Sequence, residues 1–383
     1  MGSTSKIEIK ISALENNFSF ITSLIGSNTK LSVVIKGNAY GHGTHTVIPI
    51  LENLGVTHFS VYSSAEAKVA YYERIKDSDI MIMGYISKND YDWVVKNKVE
   101  FYISSLEDLK LAIESSKNVN KKAQIHIDLE TGMNRTGLSI SQLRRAIPII
   151  LENIECLEIK GITTHLAGAE SIANHMRIRK QFAVYKKRLK LLENNNITGE
   201  LKHVASSAAT INYPEMRLDM VRIGILIYGY WPTRETFIQY IHRRKDKSDP
   251  IKRALRWTSE IIITKIIPSG EFIGYGMSYQ AQHKMQIAII PVGYCNGYSR
   301  SLSNTGHLLI KDQKAPVIGS VNMNMIICDV THIQKIKIGD PVILIGKQGE
   351  NEITFSSFAE MNNSMNYEIL ARLPENIKRS IIT

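Results

Sequence analysis

The sequence predicts an α/β protein with an N-terminal (β/α)8 barrel of the TIM type and a C-terminal, mainly-β domain. Eight short apolar runs alternate with longer, helix-like segments up to about Gly229, which is the pattern of a parallel barrel. From Trp257 onward the runs are short, rich in β-forming residues and separated by turns. The length of 383 residues accommodates two domains. A doubly wound sheet is the competing architecture, but the count of eight runs disfavours it.

The predicted barrel strands are short and apolar, and the segments between them are long enough for crossover helices. These strands are 31–35, 57–62, 80–83, 100–103, 124–129, 159–164, 203–205 and 220–223. In one intervening segment, Phe182, Tyr185 and Leu189 make an apolar stripe at helical spacing, with basic residues around it. Strands and helices therefore alternate through the first part of the chain.

The second part of the chain is predicted to be mainly β, because short apolar runs alternate there with turn sequences such as Pro268-Ser-Gly270. These runs are 259–267, 286–291, 307–310, 315–321, 325–330 and 341–345. The run 6–11 alternates charged and apolar residues and lies outside the eight barrel units, so we expect it to pair with the second domain. The predicted divisions are 1–11 for this strand, 12–235 for the barrel and 236–383 for the mainly-β domain.

Composition and charge exclude several classes of protein. Hydrophobic residues make up 44% of the chain and charged residues 22%, which is typical of a globular protein and not of a disordered one. The net charge of +11 is spread along the chain, and its densest run is His242-Arg-Arg-Lys245. Because no aromatic or glycine-rich signature accompanies this run, we interpret it as a solvated linker and expect no nucleic-acid partner.

Cysteine usage and hydropathy indicate the compartment. Cys156, Cys295 and Cys328 are widely spaced and form no CxxC motif, so neither a zinc knuckle nor a disulfide framework is expected. The longest apolar runs, such as 287–292, are far too short to span a bilayer, and no signal peptide follows the polar N-terminus. We therefore expect a protein of the reducing cytoplasm without a membrane segment.

Lys36 is the first candidate for chemistry. It follows an apolar run and precedes the polar, glycine-rich turn Gly37-Asn-Ala-Tyr-Gly-His-Gly43. The carboxyl ends of barrel strands form the active-site face, and partial burial there lowers the pKa of an amine towards that of a nucleophile or base. The alternative is a lysine that extends from a strand end into solvent.

Polar residues end other predicted strands as well. They are Arg135, His165, Ser206, Ser207, Arg222 and, shortly after, Gly224. Cations, hydroxyls and a glycine-containing turn on one face suit a phosphorylated ligand, because phosphates often bind barrels at the loops after strands seven and eight. Together with a lysine that can form a Schiff base, this set indicates pyridoxal 5′-phosphate (PLP). Taken singly, His165 also fits a core histidine, and Arg222 an ion-pair partner.

A metal centre is the rival interpretation of the histidines. His42 and His45 stand three residues apart, and His165 and His175 lie elsewhere in the chain. No carboxylate joins them in a motif such as HExxH, so we expect no metal.

Over nearly its whole length the sequence resembles the alanine racemase family, which comprises PLP enzymes with a barrel followed by a β domain. The segment VIKGNAYGHG at 34–43 resembles the family's cofactor-lysine motif. The resemblance implies that Lys36 forms the Schiff base with PLP and that Tyr40 contacts the phosphate. The segment TGMNRTG at 131–137 is similar to the one whose arginine, here Arg135, meets the PLP phenolic oxygen and the substrate carboxylate.

Three further segments resemble the family's cofactor site. They supply a histidine beside the pyridine ring, a serine on the phosphate, an arginine facing the pyridine nitrogen and backbone amides on the phosphate. In this chain these are, in that order, His165, Ser207, Arg222, and Gly224 with Ile225. Ser206 replaces the asparagine that usually precedes the serine.

The second domain carries matching motifs. The segment IGYGMS at 273–278 resembles the one with the second catalytic base, here Tyr275, and PVGYCNGY at 291–298, with Tyr294, resembles the active-site entrance. Met323 matches a position beside the substrate carboxylate. The resemblance implies a head-to-tail homodimer in which Tyr275 reaches the partner's cofactor. Racemisation needs one acid–base group on each face of the reacting carbon, and the resemblance assigns Lys36 to the D-enantiomer and Tyr275 to the L-enantiomer.

The sequence also departs from the family pattern. Asp128 stands where many members have a lysine, often carbamylated, and we expect it to pair directly with Arg135. Asn322-Met-Asn324 replaces a common Cys-Met-Asp, and Ser320 replaces a common arginine.

The C-terminal departure bears on the substrate. Glu375 or Asn376 occupies the place of a tyrosine that normally narrows the entrance, which predicts a wider and more polar pocket. The resemblance implies a racemase of L- and D-alanine that supplies D-alanine for peptidoglycan. The alternatives are a serine racemase of the vancomycin-resistance type or a racemase of broad or basic specificity. A barrel-type PLP decarboxylase and a PLP carrier are further alternatives, and Tyr275 favours racemisation over both.

Overall fold

A computed structural model of the chain describes residues 4–242, 244–354 and 366–383. The chain divides into two compact units. One, which we call the β unit, comprises Met1–Ala13, Gly37–Thr46 and Arg253–Thr383, and the other, the barrel unit, comprises Leu14–Lys36 and Val47–Lys252. The segment directly after Lys36 thus belongs to the β unit.

The barrel unit is built on eight parallel strands. Strands are numbered along the whole chain, and β1 (Lys6–Lys10) lies in the β unit. The barrel strands are β2 (Lys30–Val34), β3 (His58–Val61), β4 (Asp79–Ile82), β5 (Glu100–Ile103), β6 (Ala123–Asp128), β7 (Leu157–Thr163), β8 (Leu201–His203) and β9 (Met220–Ile223). Their order is β8-β7-β6-β5-β4-β3-β2-β9, and a bridge between Ser206, just after β8, and Arg222 of β9 nearly closes the barrel. The predicted fold class is confirmed.

Serine side chains cap the amino ends of three helices, through Ser63, Ser105 and Ser139. Ser139 caps α7 reciprocally with Gln142, and Leu143, Ala146 and Ile150 are buried at helical spacing. The helices are α1 (Ile11–Ile25), α2 (Lys36–Tyr40), α3 (Thr44–Leu54), α4 (Ser64–Glu73), α5 (Tyr91–Lys96), α6 (Leu106–Val119), α7 (Ile140–Glu152), α8 (His175–Glu193), α9 (Ser207–Asn212), α10 (Arg234–His242) and α11 (Asn366–Ala371). The predicted stripe around Tyr185 lies on α8, where Tyr185 is buried.

The β unit contains a seven-stranded and a three-stranded sheet. After β1, its strands are β10 (Leu255–Glu260), β11 (Ile263–Ile267), β12 (Met285–Ile290), β13 (His307–Ile310), β14 (Gln313–Pro316), β15 (Ile326–Asp329), β16 (Pro341–Gln348), β17 (Asn351–Ile353) and β18 (Lys378–Ile382). β1 pairs antiparallel with β10 and parallel with β18, and β11 pairs with β12 in the smaller sheet.

The predicted run 259–267 is two strands. The chain leaves the larger sheet after β10, where the amide of Ile261 donates to the carbonyl of Asp340 at 3.0 Å, and enters the smaller sheet at once, where Ile262 donates to Ile289 at 3.0 Å. The apolar run 261–263 spans this change of sheet, and of its three residues only Ile261 is buried, so the sequence pattern alone does not show where one strand ends. Within the described ranges, no helix is long and apolar enough to cross a membrane.

Candidate active site

Lys36 lies directly beyond β2, at the carboxyl ends of the barrel strands. Its side chain reaches solvent, yet the protein atoms around it lower the pKa of its amine, and the positive charge of Arg135 lowers it further, against the charge of Glu66. A lowered pKa increases the neutral fraction at neutral pH, which is the form that attacks a carbonyl or accepts a proton.

The turn after Lys36 has a left-handed backbone. Gly37, Asn38 and Ala39 have φ angles of 61°, 52° and 53°, so α2 is not a regular right-handed helix. The side-chain oxygen of Asn38 accepts the amide of Thr44 at 2.8 Å, which closes the turn onto the start of α3. The glycine and asparagine of the motif therefore have a structural reason, because these residue types adopt this backbone at little cost.

Arg379 and α11 hold the same turn within the β unit. A Cβ on Gly41 would lie 2.1 Å from the carbonyl oxygen of Leu370, so only glycine fits there. Arg379, 8% exposed, donates from Nη2 to the carbonyl of Gly41 at 3.0 Å and from Nη1 to those of Pro374 and Ile377, each at 2.7 Å. Tyr40, a predicted phosphate contact, is buried in this turn.

Arg222 lies on β9, beside β2, and is 5% exposed. Its Nη1 donates to Thr163 Oγ1 at 3.0 Å and to Nδ1 of His203, and its Nη2 donates to the carbonyls of Thr164 at 3.0 Å and Val204 at 3.3 Å. These bonds engage the terminal N–H groups. The Nε–H makes no hydrogen bond to any of the residues that the structure describes, so it remains the donor for a further partner.

The predicted phosphate contacts Ser207, Gly224 and Ile225 lie beyond the ends of the last two barrel strands. All three are buried, and the amide of Gly224 donates to the Ser207 hydroxyl at 3.0 Å. The main chain nearby is held by the amide of Arg222, which donates to the carbonyl of Ala205 at 2.9 Å. These hydroxyl and amide groups are donors of the kind that phosphate oxygens accept.

His165 follows β7 and is shielded among cations. Burial lowers its pKa to about 3, and the charges of Arg222, Arg135 and Lys36 act in the same direction. The ring is therefore neutral at physiological pH. The barrel unit thus brings the predicted residues Lys36, Arg135 and Arg222 within electrostatic range of His165.

Gln181 of α8 positions the loop after β7, and sequence reasoning missed it. Its side chain is 1% exposed, donates to the carbonyl of His165 at 3.1 Å and to Thr131 Oγ1 at 3.2 Å, and accepts the amide of Ala167 at 2.8 Å. A glutamine on the buried face of a basic helix is the signal that could have found it, because a buried amide needs partners.

Asp128 is bonded differently from the prediction. It is buried at the end of β6, where Ser104 Oγ donates to Oδ2 at 3.1 Å, and among the described side chains no ion pair joins it to Arg135. Burial raises the pKa of Asp128, while hydrogen bonds from Ser104 and Thr136 and the charges of Arg222 and Arg135 oppose that rise. The expected direct pair is therefore wrong, because hydroxyls occupy the carboxylate and Arg135 acts on it through its charge only.

The predicted site residues of the β unit lie at its surface. Tyr275 begins a 3-10 turn, is 77% exposed, and offers its carbonyl to Ser320 Oγ at 3.3 Å. Tyr294 is also exposed, and its amide donates to the carbonyl of Asn322 at 3.0 Å. Met323, 55% exposed, accepts the amide of Cys295 through its carbonyl at 3.0 Å. The segments around 294 and 323 are thus tied together by their main chains.

The polar residues inside the barrel were also not predicted from the sequence. Glu100 Oε2 accepts Nε2–H of His58 at 3.1 Å and of His126 at 2.7 Å, and His126 Nδ1 lies 2.9 Å from His203 Nε2. Each of these residues is at most 1% exposed. Ionisable residues inside apolar strand sequences were the available signal, since such groups are buried only with partners.

Comparisons with known proteins decide the family. The family model for the alanine racemase N-terminal domain matches residues 9–232, and that for the C-terminal domain matches 254–381. The chain belongs to the alanine racemase family. A curated relative, alanine racemase 1 of Caldanaerobacter subterraneus subsp. tengcongensis, is 33% identical over 98% of this chain and 94% of its own length.

Solved structures of the alanine racemase family agree over the whole chain. The alanine racemase of Clostridium difficile 630 superposes with a TM-score of 0.90 at 30% identity, covering 100% of this chain and 96% of that one. The alanine racemase of Bartonella henselae, solved with covalently bound pyridoxal phosphate, superposes with a TM-score of 0.84 at 26% identity and covers both chains fully. The prediction of this family is confirmed, and the chain is an isomerase.

Proposed function

We propose that this enzyme interconverts L- and D-alanine with PLP as its cofactor, and that it supplies D-alanine for cell-wall peptidoglycan. The observation that carries the proposal is the position of Lys36 beyond the carboxyl end of β2, in a chain of the alanine racemase family, and the lowered pKa of its amine is consistent with this role. Membership of the family and the PLP bound by the Bartonella henselae relative support the cofactor.

The donors of the barrel unit fit PLP. Lys36 would hold it covalently, Ser207 with the amides of Gly224 and Ile225 would hold its phosphate, and Tyr40 is a further phosphate contact. When bound, PLP supplies an electron sink that acidifies the substrate Cα–H. The Nε–H of Arg222, left over after the other donors are engaged, suits the pyridine nitrogen. Because an arginine keeps its proton, it would donate a hydrogen bond there without protonating the ring.

The remaining barrel residues are proposed to orient ring and substrate. A neutral His165 can pack beside the pyridine ring without adding a charge to it. Arg135 carries a positive charge near Lys36, which suits the substrate carboxylate, and Met323 and Tyr294 are proposed contacts from the β unit. Gln181 fixes the loop that carries His165.

Racemisation requires a proton acceptor on one face of Cα and a donor on the other. We propose that Lys36 Nζ serves the D-enantiomer and that Tyr275 of the partner subunit serves the L-enantiomer, in a head-to-tail homodimer. The exposure of Tyr275 supports this, since its ring is available to a second chain. The proposed domains are 12–235 and 236–383, and the three cysteines, all without disulfides, support a cytoplasmic location.

The test is a substrate comparison with the PLP-loaded protein. L-alanine, L-serine and L-lysine are incubated separately, and each D-enantiomer is followed by chiral chromatography. We expect D-alanine to form fastest, Lys36→Ala to form none, and Lys110→Ala, a change at an exposed lysine of α6, to match the parent.

Two results would contradict the proposal. Faster formation of D-serine or D-lysine would reject alanine as the substrate and would assign the specificity to the altered residues Glu375 and Asn376. No conversion of any substrate by protein that carries PLP would reject racemisation of these amino acids.

A further inference from the structure

A chain of hydrogen bonds runs through the barrel interior from β5 to β9. Glu100 begins β5, His126 lies within β6, His203 ends β8 and Arg222 lies on β9. The consecutive contacts are Glu100 Oε2 to His126 Nε2 at 2.7 Å, His126 Nδ1 to His203 Nε2 at 2.9 Å, and His203 Nδ1 to Arg222 Nη1. This series of hydrogen bonds thus links the amino end of β5 to the carboxyl ends of β8 and β9.

The donors and acceptors in this series of hydrogen bonds determine which nitrogen of each imidazole carries the proton. An arginine can only donate, so His203 Nδ1 must accept. His203 then carries its proton on Nε2 and donates it to His126 Nδ1, which must accept in turn. His126 therefore carries its proton on Nε2 and donates it to Glu100. Every bond runs in the same direction, from the guanidinium to the carboxylate.

The electrostatics agree with this assignment. Burial lowers the pKa of both His126 and His203, which keeps the two rings neutral. Burial alone would raise the pKa of Glu100, but the hydrogen bonds from His126 and His58 outweigh it and hold that pKa below its usual range. A guanidinium and a carboxylate thus lie at opposite ends of two neutral imidazoles.

The charge of this buried arginine lies within electrostatic range of the buried carboxyl of Asp128. Among the described residues no carboxylate forms an ion pair with Arg222, and a buried charge needs compensation. We propose that Glu100 and His126 are positioning residues that act through His203 to hold Arg222 in the orientation that leaves its Nε–H for the pyridine nitrogen of PLP. This inference rests on the proposed function, because that function supplies the ring nitrogen.

His58 provides a matched control. It is as buried as His126 and donates to the same oxygen of Glu100, but its other nitrogen contacts the Ser32 hydroxyl at 2.8 Å and not the route to Arg222. A purely structural role predicts similar effects from replacing either histidine, whereas a positioning role predicts that His126 matters more.

The first measurement needs no substitution. Imidazole ¹⁵N–¹H NMR of the protein without added ligand reports which nitrogen of each histidine carries the proton. We expect neutral rings protonated on Nε2 for both His126 and His203 at neutral pH. A proton on Nδ1 of either ring, or a second proton on either, would overturn the inference.

The second measurement compares His126→Phe with His58→Phe, each loaded with PLP labelled with ¹⁵N in the ring. We expect His126→Phe to move the ring-nitrogen resonance and to lower kcat by about 10- to 100-fold, with KM within about threefold, as is common for residues that orient a catalytic group. His58→Phe should leave the resonance in place and change kcat at least about tenfold less. Equal effects of the two changes, or none, would reject the positioning role.

The variant Glu100→Gln removes the negative charge of this side chain and keeps its shape. A glutamine oxygen can take the place of Oε2 and accept both N–H groups, so the variant keeps the hydrogen bonds and loses the charge. We expect the ring-nitrogen resonance to move in the same direction as in His126→Phe, while Glu114→Gln, at an exposed site of α6, leaves it unchanged. An unmoved resonance in Glu100→Gln would show that the charge of Glu100 does not reach Arg222.

The outcomes also distinguish this inference from the function on which it rests. If the parent protein racemises none of the substrates but His126→Phe moves the ring-nitrogen resonance and His58→Phe does not, the positioning role stands and the proposed function fails. If the parent racemises alanine and neither variant moves the resonance, the function stands and the positioning role fails.

Discussion

In the barrel unit a polar network that includes Glu100 and Arg222 lies inside the fold, whereas Tyr275, a candidate site residue of the β unit, lies at the surface. Glu100 and Arg222 are 1% and 5% exposed, and each is fixed by several hydrogen bonds. Tyr275 is 77% exposed, although the core of the same unit, around Ile287 and Leu344, is buried and apolar. Glu100 and Arg222 on the one hand and Tyr275 on the other therefore lie in opposite environments.

This difference determines how function and stability are coupled. A buried polar group stabilises the fold only while its partners are in place, so a change in the barrel interior should affect folding as well as chemistry. A change at an exposed residue removes few contacts and should affect chemistry alone. Four substitutions or conditions test this, in order of their expected effect on stability.

Arg222→Ala should have the largest effect. It leaves the carbonyls of Thr164 and Val204 and Nδ1 of His203 without their donor inside the barrel, so we expect the free energy of unfolding to fall by about 3–5 kcal/mol. Arg144→Ala, at an exposed position on α7, should change it by less than about 0.5 kcal/mol. Denaturant unfolding measures both, and equal losses would show that burial of the arginine does not matter.

Gly41→Ala should have the second-largest effect on stability. A Cβ at Gly41 would lie 2.1 Å from the Leu370 carbonyl, whereas one at Gly270 would meet nothing within 4 Å, and both glycines have positive φ (77° and 91°). An alanine is strained by the positive φ at both positions, so this cost cancels when the two variants are compared. The difference between their free energies of unfolding then measures the cost of the close approach to Leu370, and we expect it to be about 1–3 kcal/mol. Thermal unfolding of the pair measures it, and equal stabilities would mean that α11 yields to the added methyl group.

The third prediction concerns the pH dependence of stability that arises from the buried imidazole of His42 in the β unit. This residue is 0% exposed, and burial lowers its pKa to about 4, although hydrogen bonds to the Tyr40 and Ala39 carbonyls oppose this. Because the unfolded chain takes up a proton near pH 6.5 and the folded chain does not until about pH 4, stability should fall as the pH falls between these values, by up to about 1.4 kcal/mol per unit.

The pH series needs a matched variant. His42→Gln should reduce the slope of stability against pH by up to one proton, and His283→Gln, at an exposed site, should leave it unchanged. The free energy of unfolding is measured in denaturant at several pH values between 7 and 4. An unaltered slope in His42→Gln would mean that this imidazole is protonated in the folded protein.

Tyr275→Phe should affect stability least and turnover strongly. We expect the free energy of unfolding to stay within about 0.5 kcal/mol of the parent, because the ring is exposed and keeps its shape. Turnover of L-alanine should fall by about 10²- to 10⁴-fold, the range typical of a lost acid–base group, while the bound PLP content is retained. Full activity in this variant would remove Tyr275 from the mechanism.

Much of the barrel could be predicted because each strand is a separate apolar run. The runs 100–103 and 220–223 coincide with β5 and β9, and the motif residues Lys36 and Arg222 lie at the carboxyl ends of the strands, as expected. The interior network could not be predicted, since His126 and His203 are 77 positions apart and only the closed barrel brings them together. Sequence spacing likewise cannot show that Asp128 bonds to a serine on the preceding strand's loop.

The turn that follows Lys36 depends on a contact between Gly41 and Arg379, which are 338 positions apart in sequence. A ribosome adds about 5–20 residues per second, and N-terminal elements fold first, so the barrel strands emerge well before this arginine. During that interval the turn beside Lys36 has its local hydrogen bond between Asn38 and Thr44 but not the hydrogen bonds from Arg379. The residue that completes this turn is therefore among the last to be translated, although Lys36 is among the first, and a chain that stops before residue 379 would lack these hydrogen bonds.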